Sequence, residues 1–204
     1  MKFTIPAKVL QAALLFVAKP NEPRTHLLGI HIYPDGRIYA SNGHVCFKYN
    51  TFEPIAGISK PLIFSVTGSA FPKKAASAVV DIDPSLDTGA LSFLDPFGNF
   101  IVTGNLKVLR AVERITPAKA PLEDGGYIDF EAAIFSKIER GPFLVCEFGV
   151  NPEYLELFGK AAKVLSARAL KVRMYGGEQL DFVHAVPRCS EFYNAEFVVL
   201  PMSI

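Results

Sequence analysis

Cysteine is scarce in this chain. Three residues in 204, Cys46, Cys146 and Cys189, lie far apart. That excludes a disulfide framework and a clustered zinc site, and a reducing cytoplasm is the expected compartment. A surplus of one charge is missing too. The formal net charge is +1, so nothing global attracts a polyanion and any basic face has to be local. Long apolar runs are absent. Val9 to Ala18, interrupted by Gln11, is too short to span a bilayer. Lys8 precedes it, but no small-residue cleavage signature appears before the prolines and charges of residues 19 to 24, which argues against a signal peptide and against a membrane role. What remains is half hydrophobic and one fifth charged, the balance of a folded soluble protein with enough chain for one large domain or two small ones.

The pattern along the chain repeats. Lys2 to Ile5 reads as a strand. Pro6 opens a helix over Ala7 to Lys19, whose Val9, Leu10, Ala13, Leu14 and Val17 form an apolar stripe. Pro20, Asn21 and Pro23 end it. Leu27 to Tyr33 and Arg37 to Ala40 form a hairpin through Pro34-Asp35-Gly36, and His44 to Tyr49 adds a strand. A second unit follows: a strand over Pro61 to Val66, a short helix over Ser69 to Val80, then strands over Leu91 to Phe93, Phe100 to Val102 and Val108 to Ile115. A third has a strand over Phe143 to Phe148, a helix over Pro152 to Leu165 with Tyr154, Leu155, Phe158, Ala162 and Leu165 inward, a hairpin of Leu170 to Met174 and Leu180 to Val183 across Gly176-Gly177, and a strand over Phe197 to Leu200. Strand–helix–strand–strand–strand units with antiparallel sheets and helices on one face predict an α+β fold. The expected division is residues 1–115 as a domain of two units, 116–140 as a Pro-, Ala- and Gly-rich linker, and 141–204 as a half-domain of one unit.

The tail is unusual. Chain ends are commonly polar and frayed, yet Leu200-Pro201-Met202-Ser203-Ile204 is apolar to its last residue. It either completes a core or forms one wall of a groove for a partner's side chains, a role that suits the pliant Met202.

Few residues carry catalytic chemistry. His44 and Cys46 share a strand face, but no third orienting group or oxyanion element accompanies them, so no enzyme is expected. His26 and His31 lack metal-ligand spacing. Asp81 and Asp83, beside Pro84, read as a loop rather than a metal site. No cofactor is expected.

The opening Met1-Lys2-Phe3-Thr4-Ile5, the repeat, and the closing Phe197-Val198-Val199-Leu200-Pro201-Met202 together resemble the bacterial sliding clamp, the β subunit of the replicative DNA polymerase, whose chain ends on a similar Val-Val-Met-Pro-Met run. Residues 1 to about 138 resemble its middle domain. Arg24-Thr25-His26-Leu27 matches an Arg followed by a Leu three residues on, Ala40-Ser41-Asn42-Gly43-His44 a Thr-Asp-Gly-His segment, and Asp124 to Phe130 the linker to the last domain. Residues 143 to 204 resemble the second half of that last domain. There are departures: three units rather than six, Ile128 and Phe135 where prolines stand, and Val45-Cys46 where a basic residue and Leu stand.

The resemblance implies a DNA-clamp fold and a groove for linear peptide motifs of polymerases and repair proteins. Its walls would be Arg24, Leu27, Ser41, Gly43, His44, Val45, Cys46, Phe135, Val198, Leu200, Pro201 and Met202. It also implies helices lining a hole for double-stranded DNA, with Lys8, Lys73, Lys74, Lys160 and Lys163 as phosphate contacts. An ordinary solvated helix face accounts for Lys160 and Lys163 nearly as well, because Glu153 and Glu156 share their helix. The implied function is a processivity factor acting as a homo-oligomer. The alternative is a clamp-derived adapter or decoy that binds the same peptides without encircling DNA. The third unit, having no partner in the chain on this reading, would pair with its copy to give a dimer, and two dimers would give a tetrameric ring.

Overall fold

The structure is a computed structural model, and residues 1–67, 71–83, 87–111, 130–135, 150–175 and 182–199 are described. Among these, eleven strands form one antiparallel sheet. In chain order they are β1 (Lys2–Pro6), β2 (Ile30–Ile32), β3 (Arg37–Ser41), β4 (Val45–Asn50), β5 (Leu62–Thr67), β6 (Ser77–Asp83), β7 (Thr88–Leu94), β8 (Phe100–Ala111), β9 (Leu170–Tyr175), β10 (Phe182–Pro187) and β11 (Ala195–Val199). Their order across the sheet is β1-β6-β7-β8-β5-β2-β3-β4-β11-β10-β9.

Two helices, α1 (Ala7–Leu14) and α2 (Pro152–Val164), pack against each other on one face. α1 follows β1 without a loop. Pro6 supplies no side-chain cap, and the Ala7 N–H donates to the Ala76 carbonyl at 3.0 Å instead. α2 starts where its sequence dictates: Asn151 Oδ1 accepts from the Glu153 N–H at 2.9 Å, and Pro152 occupies the first turn, where its missing N–H costs nothing. The core on this face is aromatic. Phe16 packs on Phe47 of β4, Phe158 of α2 and Phe197 of β11, with ring centroids 5.6, 6.2 and 5.6 Å away. Losing a fully buried Phe ring costs about 3–5 kcal/mol, so this cluster ties the first and last parts of the chain strongly together.

That cluster corrects the third unit's expected isolation. β4 and β11 pair from Ala195↔Tyr49 to Val199↔Val45, so the described residues 150–175 and 182–199 share the sheet and core of the first unit. The motive for a dimer through an unpartnered third unit is therefore removed.

Other expectations also shift. The short helix over Ser69 to Val80 does not form within the described residues: β6 starts at Ser77, and Ala78, Val80 and Ile82 alternate inward between β1 and β7. Period-two burial with β-branched residues prevailed over the small residues that suggested a helix. Asp81 and Asp83 consequently lie on this strand, not in a loop. Leu27 belongs to a 3-10 turn (Thr25–Leu28), and the strand after it is only Ile30–Ile32. Val108 extends β8 rather than starting another strand. Leu155, expected inward, is 43 % exposed. Most of 116–140, the Phe143 to Phe148 strand and the Gly176-Gly177 turn lie outside the described residues.

The opposite face of the sheet carries a second, smaller core. A π-helical turn (Glu131–Phe135) covers it, and Phe130 stacks on Tyr39 at 5.3 Å. Tyr33, Cys46, Ile63, Ile134, Phe135, Phe182 and Val198 complete it. A segment expected to be linker thus contributes to the interior.

Candidate functional site

The β3–β4 turn is built by its own side chains. Ser41 Oγ donates to the Val45 carbonyl (2.8 Å) and accepts from the Gly43 N–H (3.0 Å). Asn42 Oδ1 accepts from the N–H groups of His44 and Val45, both at 3.0 Å. Gly43 adopts φ 91°, where side chains are strained. A Cβ there would also come within 2.9 Å of Arg24 Nη2. Arg24 is exposed and held by Glu22, Nε to Oε1 2.5 Å. Hydrogen bonds from the Arg24 side chain and backbone hold the Glu22 carboxyl below its ordinary value. His44 is exposed and stacks on Tyr154 of α2, centroids 5.4 Å apart and planes 13° from parallel.

The expected groove residues divide into two groups. Arg24, Gly43 and His44 gather at this turn, and Val199, opposite Val45, brings β11 to its level. Leu27, Ser41, Val45, Cys46, Phe135 and Val198 are each at most 3 % exposed. They support the turn from inside and offer no open wall. Val45 faces the helix-side core, while Cys46, Phe135 and Val198 lie in the core on the other face. Burial pushes the Cys46 thiol far up, which leaves it protonated and inert. Leu200, Pro201 and Met202 lie outside the described residues.

Beneath the turn runs a polar chain that the sequence reading missed. Lys48 Nζ reaches Glu131 Oε1 at 3.0 Å and Glu196 Oε1 at 3.4 Å, and lies 4.5 Å from the Phe135 ring centre. Tyr39 donates to Glu131 Oε2 at 2.5 Å, and His184 Nε2 meets Glu196 Oε2 at 2.9 Å. Burial works to raise the Glu196 carboxyl, but the His184 hydrogen bond and the Lys48 charge outweigh it and hold it below its ordinary value. Only the register of β4 with β11, which opposes Lys48 to Glu196, could have revealed it.

On the helix face, Lys8 of α1, Lys73, and Lys160 and Lys163 of α2 line one cleft of about 440 Å³, floored by Leu15 and Phe71. Lys160 pairs with Glu156 at 2.9 Å, and Lys8 donates to Ser166 Oγ at 3.0 Å. Lys74 is exposed but does not line the cleft. Among the described residues no group of three or more His, Cys, Asp or Glu is placed to hold a metal, and no helix is long and apolar enough to cross a membrane.

No family model matches the chain, and no curated protein matches it. Solved structures do. The DNA polymerase sliding clamp of Pseudomonas aeruginosa superposes with a TM-score of 0.57 at 13 % identity, over 100 % of this chain and 67 % of that one. The DNA polymerase III β subunit of Thermotoga maritima gives 0.53 at 15 %, over 100 % and 65 %. The chain thus spans about two thirds of the length of these clamps, and its described strands and helices are similar in fold to the bacterial DNA polymerase sliding clamp.

Proposed function

We propose that this chain is a clamp-like processivity factor. It holds double-stranded DNA loosely on its helix face, and it receives linear peptide motifs of polymerase or repair proteins beside the Arg24–Gly43–His44 turn. The observation that carries the reading is the convergence of Lys8, Lys73, Lys160 and Lys163 on one cleft between α1 and α2. Lysine is a flexible point charge without base-edge geometry, which suits sequence-blind phosphate contact. A near-neutral chain with these four lysines on one cleft binds weakly enough to move along the duplex. The likeness in fold to sliding clamps supports the same reading. On this reading several copies close a ring by continuing the sheet beyond β1 and β9, which stand at its two ends among the described residues.

Retention on nicked circular against linear duplex tests it. A working clamp stays on the circle and runs off the linear ends, and Lys160→Glu/Lys163→Glu shortens retention on the circle. A partner peptide of the Gln-Leu-x-Leu-Phe type binds the wild type and loses most of its affinity when residues 201–204 are deleted. Peptide binding without topology-dependent retention, in a protein that sediments as a monomer or dimer, would favour the adapter. Loss of neither activity on these changes refutes the reading.

A further inference from the structure

A second cluster of cations among the described residues has no part in that reading. A cavity of about 770 Å³ opens where β9 begins and β10 ends, next to the C-terminus of α2. Arg168, Lys171, Arg173 and Arg188 line it, against one carboxylate, Glu191. Sequence accounts for half of this. In Leu170-Lys171-Val172-Arg173 the cations alternate with apolar residues, so Lys171 and Arg173 share a face of β9. Register supplies the rest: Arg188 follows Pro187, which pairs with Leu170, the Arg168 N–H donates to the Arg188 carbonyl at 3.3 Å, and the Arg188 N–H donates to the Ala169 carbonyl at 2.7 Å. Among the described residues none of the four cationic side chains makes an ion pair.

An exposed aromatic pair flanks these charges. Tyr193 lines the cavity, is 61 % exposed, and stacks on Phe52, itself 63 % exposed, with centroids 6.2 Å apart and planes 24° from parallel. Hydrogen bonds within and between the two loops hold the pair. Phe52 sits at φ 61°, a costly conformation for an aromatic residue. It is fixed there by a 2.8 Å hydrogen bond from its N–H to Asn50 Oδ1. The Asn194 side-chain amide bonds the Asn50 carbonyl and ties the two loops together. A strained backbone position thus presents a large ring to water, beside guanidinium groups that make no ion pair among the described residues.

We propose that this cavity, with the Phe52–Tyr193 pair at its rim, binds single-stranded nucleic acid. The cations would track successive phosphates while the rings stack on unpaired bases, a combination that a duplex cannot use because its bases are already stacked. The cavity borders the lysine cleft through the Lys8–Ser166 hydrogen bond, since Ser166 lines one and Lys8 the other. A strand separating from duplex on the helix face would be led past α2 to the rings.

Fluorescence anisotropy with labelled oligo-dT of about 16 nucleotides tests this on the full chain. The wild type binds, with a Kd that rises steeply with salt. Tyr193→Ala weakens binding roughly tenfold, as expected for losing one stacked base. Arg173→Glu/Arg188→Glu weakens it further and flattens the salt dependence, and thermal melts confirm that each variant is folded. Lys160→Glu/Lys163→Glu leaves oligo-dT binding within about twofold while reducing duplex retention, so failure of the clamp reading and failure of this one are separable. The proposal is overturned if the wild type does not bind oligo-dT, if Tyr193→Ala binds as the wild type does, or if a poly-glutamate peptide displaces the oligonucleotide as well as unlabelled oligo-dT does.

Discussion

Replacing Lys48 by Met removes the one cation between two acids. Lys48 is 12 % exposed in its side chain, and Glu131 and Glu196 are 34 % and 27 %. Methionine keeps the apolar stem over Phe135 and much of the volume, so the packing loss is small. What is left is two carboxylates facing each other in a partly dry site. Removing one partner of a fully buried pair costs about 3–5 kcal/mol. The residual exposure of both acids screens this, and we expect about 2–3 kcal/mol at neutral pH. The effect should depend on pH in a set direction. In the wild type the Glu196 carboxyl titrates below its ordinary value. Its contribution is therefore present above the unfolded pKa of about 4.3 and is lost as pH falls through the folded value. Without Lys48, one of the two groups that hold the Glu196 carboxyl down is gone and burial works to raise it, so the variant loses less on acidification. The gap between wild type and variant should narrow from pH 7 towards pH 4. Urea denaturation followed by circular dichroism at several pH values measures it, and Glu196→Gln in both backgrounds closes a double-mutant cycle. A loss under about 0.5 kcal/mol that does not change with pH would refute a working Glu131–Lys48–Glu196 chain.

Gly43→Ala should destabilise by about 1–2 kcal/mol, from the left-handed backbone at that position, and should displace Arg24; thermal melts and peptide affinity report the two effects. His31 is fully buried, and burial lowers its pKa to about 4. The unfolded chain therefore binds a proton there first, so stability present above about pH 6.5 is lost as pH falls towards 4, up to about 3 kcal/mol, and His31→Phe should flatten that part of the pH–stability curve. In a Cys146→Ser background, a thiol reagent should label half-exposed Cys189 quickly and buried Cys46 only at the rate of unfolding; rapid labelling of Cys46 with loss of any activity would contradict its inert role.

Local signals in the sequence were sufficient wherever neighbours in the chain supply the interaction. Pro6 marks the change from β1 to α1. Pro34-Asp35-Gly36 turns β2 into β3, with Gly36 at φ 95°. Asn151 and Pro152 start α2 with the Glu153 N–H capped. The α+β class and the resemblance to a sliding clamp rest on such signals, summed over the chain, and the fold comparison agrees with both. What the sequence could not decide was which faces meet. Ser77–Asp83 is a strand because β1 and β7 lie on either side of it, and neither partner can be inferred from the residues of β6 alone. Val45 and Cys46 are adjacent in sequence yet belong to cores on opposite faces of the sheet. Lys48 meets Glu196 only because β4 and β11 pair, though about 150 residues separate them. The same pairing, together with Phe16, Phe47, Phe158 and Phe197, joins the third unit to the first. Alternation and capping are read from spacing, but register between distant strands depends on which arrangement buries the most apolar surface with every backbone group paired, and only the folded chain decides that.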